Sequence, residues 1–313
     1  MRPPCAGAGR DASTSVTRLA ANLLLLLAAA FWGFGNIAQK TVLEYIDPFS
    51  AAGARCLIAA LLVMPFAFLR RQPRGAAYWA SLARVSLLFS VSIGLQQYAY
   101  LEASVTNASF LVNTATVMTP LAAWLLFGEK PAPVVLLAAA GTMVGVLLIA
   151  GGLGKASSGN LFALLSAACY ALWMVELGRH MQAHGDPIMA AGAQFLVAAV
   201  LMLPMGASRG NLSGATLLAA APDLAILGVF STAAAFGIQT VAQRFTSASH
   251  AAVIVSAESV FGAAGAAAFL GERLSVSGAA GAVIVLCAIL LLAIQTAGAP
   301  AAGDVAGVRN SEG

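Results

Sequence analysis

Residues 94–130 read GLQQYAYLEASVTNASFLVNTATVMTPLAAWLLFGEK, and residues 237–273 read GIQTVAQRFTSASHAAVIVSAESVFGAAGAAAFLGER. Laid over one another at a constant offset of 143 residues, without a gap, they agree at Gly94, Gln96, Ala99, Ser104, Ala108, Val112, Val117, Ala123, Gly128 and Glu129. Self-similarity over such a span marks a duplicated structural unit. The solvent of that unit follows from composition. The 313 residues are 60% hydrophobic and 9% charged, with mean hydropathy +0.88. Soluble domains carry about 25% charge, so this supply cannot cover the surface of a water-soluble globule. Disorder, collagen and coiled coil are excluded by the same figures. The chain is an integral membrane protein.

Crossing about 30 Å of hydrocarbon takes roughly 20 apolar residues. Ten runs qualify: 19–38, 49–69, 80–100, 107–127, 133–151, 160–178, 187–206, 222–243, 248–270 and 276–297. They are continuously apolar rather than alternating, which selects helices over a barrel. The connections are short and hold turn formers such as Asp47-Pro48 and Gly185-Asp186-Pro187, so none houses a soluble domain. The first run resembles a signal peptide at Leu23 to Leu27, but it continues through Phe31-Trp32-Gly33, where a cleavage site needs small residues. It is read as a retained span.

Orientation follows the basic residues. With the N-terminus inside, Arg2, Arg10, Arg18, Arg70, Arg71, Arg74, Arg84, Lys130, Arg179, Arg244 and Arg309 face the cytoplasm, against Lys40, Lys155, Arg209 and Arg273 outside. Arg55 is left within the second span. The net charge of +4 is scattered rather than gathered in a patch, so no nucleic-acid partner is expected. The partners expected are the lipid bilayer and a small-molecule substrate. The fold expected is all-α: a polytopic membrane protein of ten transmembrane helices in two inverted five-helix repeats. Its divisions are a cytoplasmic N-terminal tail 1–18, repeats 19–153 and 157–297, and a cytoplasmic C-terminal tail 298–313. Five spans per repeat is odd, so the second copy lies upside down relative to the first. Inverted repeats are typical of secondary transporters, in which the halves exchange roles as the pathway opens to either side.

Trp32-Gly33, then Asp47-Pro48 and Arg55, then the Pro120 segment ending at Gly128-Glu129, resemble the EamA-type drug/metabolite transporter superfamily. Ala257-Glu258-Ser259 followed by Gly271-Glu272-Arg273 repeats the pattern. The resemblance spans about residues 19–297. It implies a ten-helix exporter or importer of small metabolites, amino acids or drugs, in a bacterial inner membrane or a related bilayer, with export the direction expected. Members of that superfamily often have Glu-Pro where this chain has Glu258-Ser259, so the expected proline-driven helix break is in doubt here.

Glu258 lies mid-run among Ala, Val, Ile, Phe and Gly, where a carboxylate costs several kcal/mol unless paired, protonated or wet. Its counterpart in the first repeat is Ala115. It either binds an amino group or carries a proton on the transport path, or it is a neutral acid bonding a neighbouring helix. Arg55 lies roughly 10 Å below the outer surface and Glu258 about 15 Å from the inner one, an offset that a pair could bridge; the alternative is an arginine that snorkels or caps carbonyls. Trp32, Asn36 and Gln39 share a face of the first span, and Gln96, Asn113, Tyr170, Trp173, Gln194, Gln239 and Gln243 are further intramembrane polar groups. Of these, Trp32, Asn36, Gln96, Tyr170, Trp173 and Gln239 are the cavity candidates. Amides also join helices in lipid. Tyr100 and Trp79 read as interfacial anchors.

Pro120 should kink its span. Glu129 and Glu272, beside Lys130 and Arg273, are structural or gating elements at opposite faces. Gly141-x-x-x-Gly145 fits either a homodimer face or packing within the bundle. Cys56, Cys169 and Cys287 lie in apolar runs without metal-ligand spacing, and no cofactor or metal is implied.

Enzyme-like strings do not hold together. Gly206-Ala-Ser208-Arg-Gly210 follows a membrane helix rather than a strand. His180 and His184 lack the glutamate of a zinc motif and fall in an expected cytoplasmic loop, and no nucleotide-binding loop exists. A carrier is the leading reading. A membrane-embedded enzyme acting on lipid, and a passive channel or helper subunit, are the alternatives.

Overall fold

The computed structural model describes residues 8–69, 74–103, 105–152, 157–209, 213–270 and 275–298. Every regular element among them is helical. The first half comprises α1 (Ala8–Thr41), α2 (Pro48–Leu69), α3 (Ala76–Glu102), α4 (Val105–Val112), α5 (Ala115–Phe127) and α6 (Pro133–Ala150). The second comprises α7 (Ser158–His184), α8 (Pro187–Ala207), the short α9 (Gly214–Ala219) and α10 (Ala221–Ala225), and α11 (Ala235–Ala242). It is completed by α12 (Ala248–Val255), α13 (Glu258–Leu270) and α14 (Val276–Gly298). Residues Ile226–Ala234 between α10 and α11 form a π-helical stretch.

Helix limits follow local chemistry. Asp186 caps α8 by accepting from Met189 N, with Pro187 opening the first turn. Proline costs nothing there because that amide has no intrahelical partner. Gly128 ends α5 at φ 70° and Gly151 ends α6 at φ 73°, a left-handed conformation that side chains disfavour.

Nine helices among the described residues are long and apolar enough to cross a membrane. The run expected at 248–270 as one span is instead divided into α12 and α13 by a turn at Ser256-Ala257. The run at 107–127 is divided likewise, by a turn at Asn113-Thr114. These two turns stand 143 residues apart, at matching positions of the repeat. At each, a hydroxyl bonds back three residues: Thr114 Oγ1 to Leu111 O at 2.6 Å, and Ser256 Oγ to Val253 O. Proline is not the cause. Pro120 lies six residues beyond the first turn, inside α5, and the absence of proline at Ser259 does not abolish the second turn. That expectation is corrected.

The halves interlock by a common rule. α2 packs on α8 and α6 on α14, each helix meeting its own counterpart, and α5 packs on α12, the counterpart of α4. Other contacts come in matched pairs: α3 on α7 mirrors α11 on α1, α3 on α8 mirrors the π-helical stretch on α2, and α5 on α7 mirrors α13 on α1. This is the contact map of a molecule with an internal two-fold relation. Between α6 and α14 a Cβ on Gly145 would lie 2.7 Å from Gly281 O, so the small-residue stripe serves contact within the bundle. Alanine fills the interior (Ala28, Ala52 and Ala59 are fully buried), while leucine faces outward, with Leu69 80% and Leu125 77% exposed. That inversion suits a lipid surround, where close backbone approach rather than burial of large side chains joins helices.

Two polar residues depart from expectation. Tyr100 is no interfacial anchor: it is fully buried, its hydroxyl 2.9 Å from Ser109 Oγ. His180 and His184 lie on α7 itself rather than in a loop, because the helix runs to a left-handed Gly185.

Candidate functional site

On α1, Trp32, Asn36 and Gln39 are spaced by four and three residues and share one face. They begin a chain of hydrogen bonds. Gln39 Nε2 donates to Asn36 Oδ1 at 2.8 Å, and Gln39 Oε1 accepts from Arg55 Nη1 at 3.1 Å. Arg55 is 1% exposed, and also donates to Thr232 Oγ1 at 2.7 Å and Ser231 Oγ at 3.2 Å. All three acceptors are neutral. Ser231 and Thr232 belong to the π-helical stretch, whose widened turns leave groups free for outside partners. The Ser231 carbonyl accepts Trp32 Nε1 at 2.9 Å.

Glu258 is the first residue of α13, immediately after the second turn. A helix N-terminus favours negative charge. Asn113 Nδ2, from the other turn, stands 3.5 Å from Glu258 Oε1, and Asn36 lines the same cavity as that carboxylate. The two helix turns therefore meet across one point. Gly33 fixes their depth: a Cβ there would sit 2.6 Å from Glu258 O and 2.7 Å from Gly262 N. Only a glycine lets α1 approach the start of α13 so closely.

These groups surround a cavity with about 500 Å³ of space free of protein atoms, part of it continuous with the exterior. Glu258, Arg55, Trp32, Asn36, Gln96 and Tyr170 all line it, joined by Gln39, Asn113, Thr116, Met174 and Phe236. Arg55 and Glu258 face the same space without bonding each other, and Arg55 does not snorkel. Both sequence readings of Arg55 give way to a guanidinium held by Gln39, Ser231 and Thr232. Trp173 and Gln239 do not line the cavity. They stand behind Tyr170: its hydroxyl donates to Gln239 Oε1 at 3.2 Å, and its ring lies 5.0 Å from that of Trp173. Phe236 packs on Trp32 at 4.7 Å. Thr116, Met174 and Phe236 carried no sequence signal, since such residues are commonplace in packed helices.

Away from the cavity, all three ion pairs found among the described residues lie at one end of the bundle and join the two halves. Arg74 Nη2 meets Asp186 Oδ2 at 2.6 Å, Arg84 Nε meets Glu176 Oε2 at 3.2 Å, and Arg179 Nη1 meets Glu129 Oε1 at 2.9 Å. Glu129 thus pairs across the halves rather than with Lys130. Pro120 is buried within α5, and Glu272 lies outside the described residues.

Two inverted helical halves that enclose a polar, charge-bearing cavity at paired helix breaks define a multi-pass membrane protein of the carrier class. Residues 19–151 and 157–294 match the EamA-like transporter family, and the chain belongs to that family. An uncharacterized transporter of Archaeoglobus fulgidus is 28% identical over 255 residues, covering 79% of this chain and 77% of that one. Solute carrier family 35 member G1 of Homo sapiens is 27% identical over 173 residues, covering 50% of this chain and 47% of its own. A solved crystal structure at 17% identity superposes with a TM-score of 0.70, covering 87% of this chain and 96% of that one, and shares the fold. Family and relatives point to a transporter, not an enzyme.

Proposed function

We propose that the chain is a secondary carrier that moves a small organic molecule outward across a bacterial inner membrane by alternating access, with both termini in the cytoplasm. The run 248–270 counts as the tenth crossing in this reading, and the divisions 1–18, 19–153, 157–297 and 298–313 are kept. The observation that carries the proposal is Arg55 and Glu258 facing one cavity without bonding each other. Arg55 is buried on neutral acceptors only, and a buried charge calls for an opposite partner. A substrate's acidic or acceptor group fits it. Glu258, beside the amide of Asn113, suits an amino group, or a proton that moves with the cargo. Trp32, Tyr170 and Phe236 supply an apolar wall for an organic body, and Asn36 and Gln96 supply hydrogen bonds. Trp173 and Gln239 act through Tyr170.

Counterflow in proteoliposomes tests this reading. A panel of amino acids, amines and organic acids should yield at least one saturable counterflow substrate. Replacing the carboxylate in Glu258→Gln should cut its transport by about 10- to 100-fold, the worth of a hydrogen bond to a charged group. Flux that never saturates, or transport untouched in Glu258→Gln at every pH, would refute it.

A further inference from the structure

The cavity draws unequally on the two repeats. Asp47 to Pro65 reads DPFSAAGARCLIAALLVMP and Asp186 to Pro204 reads DPIMAAGAQFLVAAVLMLP. They agree at 11 of 19 positions, pairing Arg55 with Gln194. On α1 and α7, superposing the two tryptophans pairs Trp32 with Trp173 and Gln39 with His180; on α3 and α11, Gln96 pairs with Gln239. Trp32, Gln39, Arg55 and Gln96 all line the cavity, and none of their four counterparts does. The counterparts face no cavity: Trp173, Gln194 and Gln239 are 0% exposed and His180 1%, while Trp32 at 5%, Gln39 at 2% and Arg55 at 1% are also buried but open onto the cavity.

The sealed set is polar yet incompletely bonded. His180 Nε2, Gln194 Nε2 and Gln239 Nε2 are buried without a hydrogen-bond partner. For Gln194 the chemistry fixes which end is free. Its other atom accepts from the indole Nε1 of Trp173 at 2.8 Å, and an indole can only donate. Buried groups of this kind are costly, and of the eight found among the described residues three fall in this one repeat-related set. Their location supplies an explanation. His180 lies under the ion-paired end: Ser81 Oγ is 3.0 Å from its Nδ1, and Tyr78, whose ring meets it edge-on at 5.0 Å, reaches Asp186 at 3.3 Å. Gln239 touches Tyr170, which faces the open cavity. The set thus leads from the sealed end to the cavity wall.

Resting on the carrier reading above, we infer that Trp173, His180, Gln194 and Gln239 form a second substrate-contacting surface, exposed when the molecule opens at its ion-paired end. There the free amide nitrogens donate to water and to an acceptor oxygen of the substrate, such as a carboxylate, carbonyl or hydroxyl. Trp32, Gln39 and Gln96 become the sealed set in exchange.

Hydroxyl-radical footprinting of the full chain in proteoliposomes reads this through native residues. In the wild type, Trp32 should oxidise and Trp173 should not. Asp186→Asn keeps a cap for α8 but breaks the pair with Arg74, and with Glu176→Gln it should raise Trp173 oxidation roughly fivefold while Trp32 falls. Single cysteines at Gln194 and Gln96, probed with a water-soluble thiol reagent, should follow the same exchange. If Trp32 and Gln96 become protected while Trp173 and Gln194 stay closed, the molecule alternates by another route, and this inference falls while the carrier reading stands. If none of the four changes and no counterflow is found, both fall.

Discussion

At the residue scale, position 33 joins packing to chemistry. Gly33→Ala places a methyl group against the Glu258 carbonyl and the Gly262 amide, where backbone cannot yield as a flexible side chain would. Such overpacking costs about 1–3 kcal/mol. The variant should melt earlier and lose transport out of proportion to its stability loss, because the displaced atoms belong to Glu258. An unchanged melting temperature together with unchanged counterflow would show that the approach of α1 to α13 is not needed. The residues that make up this site were readable to differing degrees. Glu258 and Arg55 stood out because charge is rare in apolar runs, and Trp32, Asn36 and Gln39 because helical spacing aligned them. Which glutamine faces the cavity was not readable: Gln96 and Gln239 occupy equivalent repeat positions, and the sequence does not separate them.

At the scale of elements, the two broken helices shape the site, and their breaks were hidden in the sequence. Asn113-Thr114 and Ser256-Ala257 contain neither glycine nor proline, and the apolar runs continue through them. Pro120, the visible proline, sits within the continuous α5, where the second half has Ala263, and not at the turn. Hydroxyls returning to carbonyls hold the turns instead, a local competition with helical bonding that short polar side chains favour. Pro120→Ala should therefore leave the first turn intact. It restores an amide donor toward Thr116 O in a helix interior where proline is disfavoured by as much as about 3 kcal/mol. The expected result is an equal or higher melting temperature with counterflow retained. Loss of transport in a well-folded Pro120→Ala protein would mean that the proline, not the hydroxyl-held turn, sets the cavity.

At the scale of the whole molecule, inversion follows from counting and contact together. The offset of 143 residues was plain in the sequence, and the paired contacts of α2 with α8 and α6 with α14 are its three-dimensional form. Departures from that symmetry are concentrated where charge is carried. Arg55 corresponds to neutral Gln194 and Glu258 to apolar Ala115, so on the proposed alternating-access reading the two open states would hold a charged cargo unequally. Inversion itself is testable through Lys130 and Arg273, which hold equivalent places at the ends of the repeated segment. Lys130 is exposed. Cysteines introduced singly at these two positions should react with a membrane-impermeant thiol reagent from opposite faces of sealed, oriented vesicles: Lys130→Cys from the face that also reaches Arg179, and Arg273→Cys from the other. Labelling of both from one face would make the repeats parallel. The pairing of Trp32 with Trp173 and of Arg55 with Gln194 would then no longer link two states of one pathway, and the orphaned amides of the second half would need a different cause.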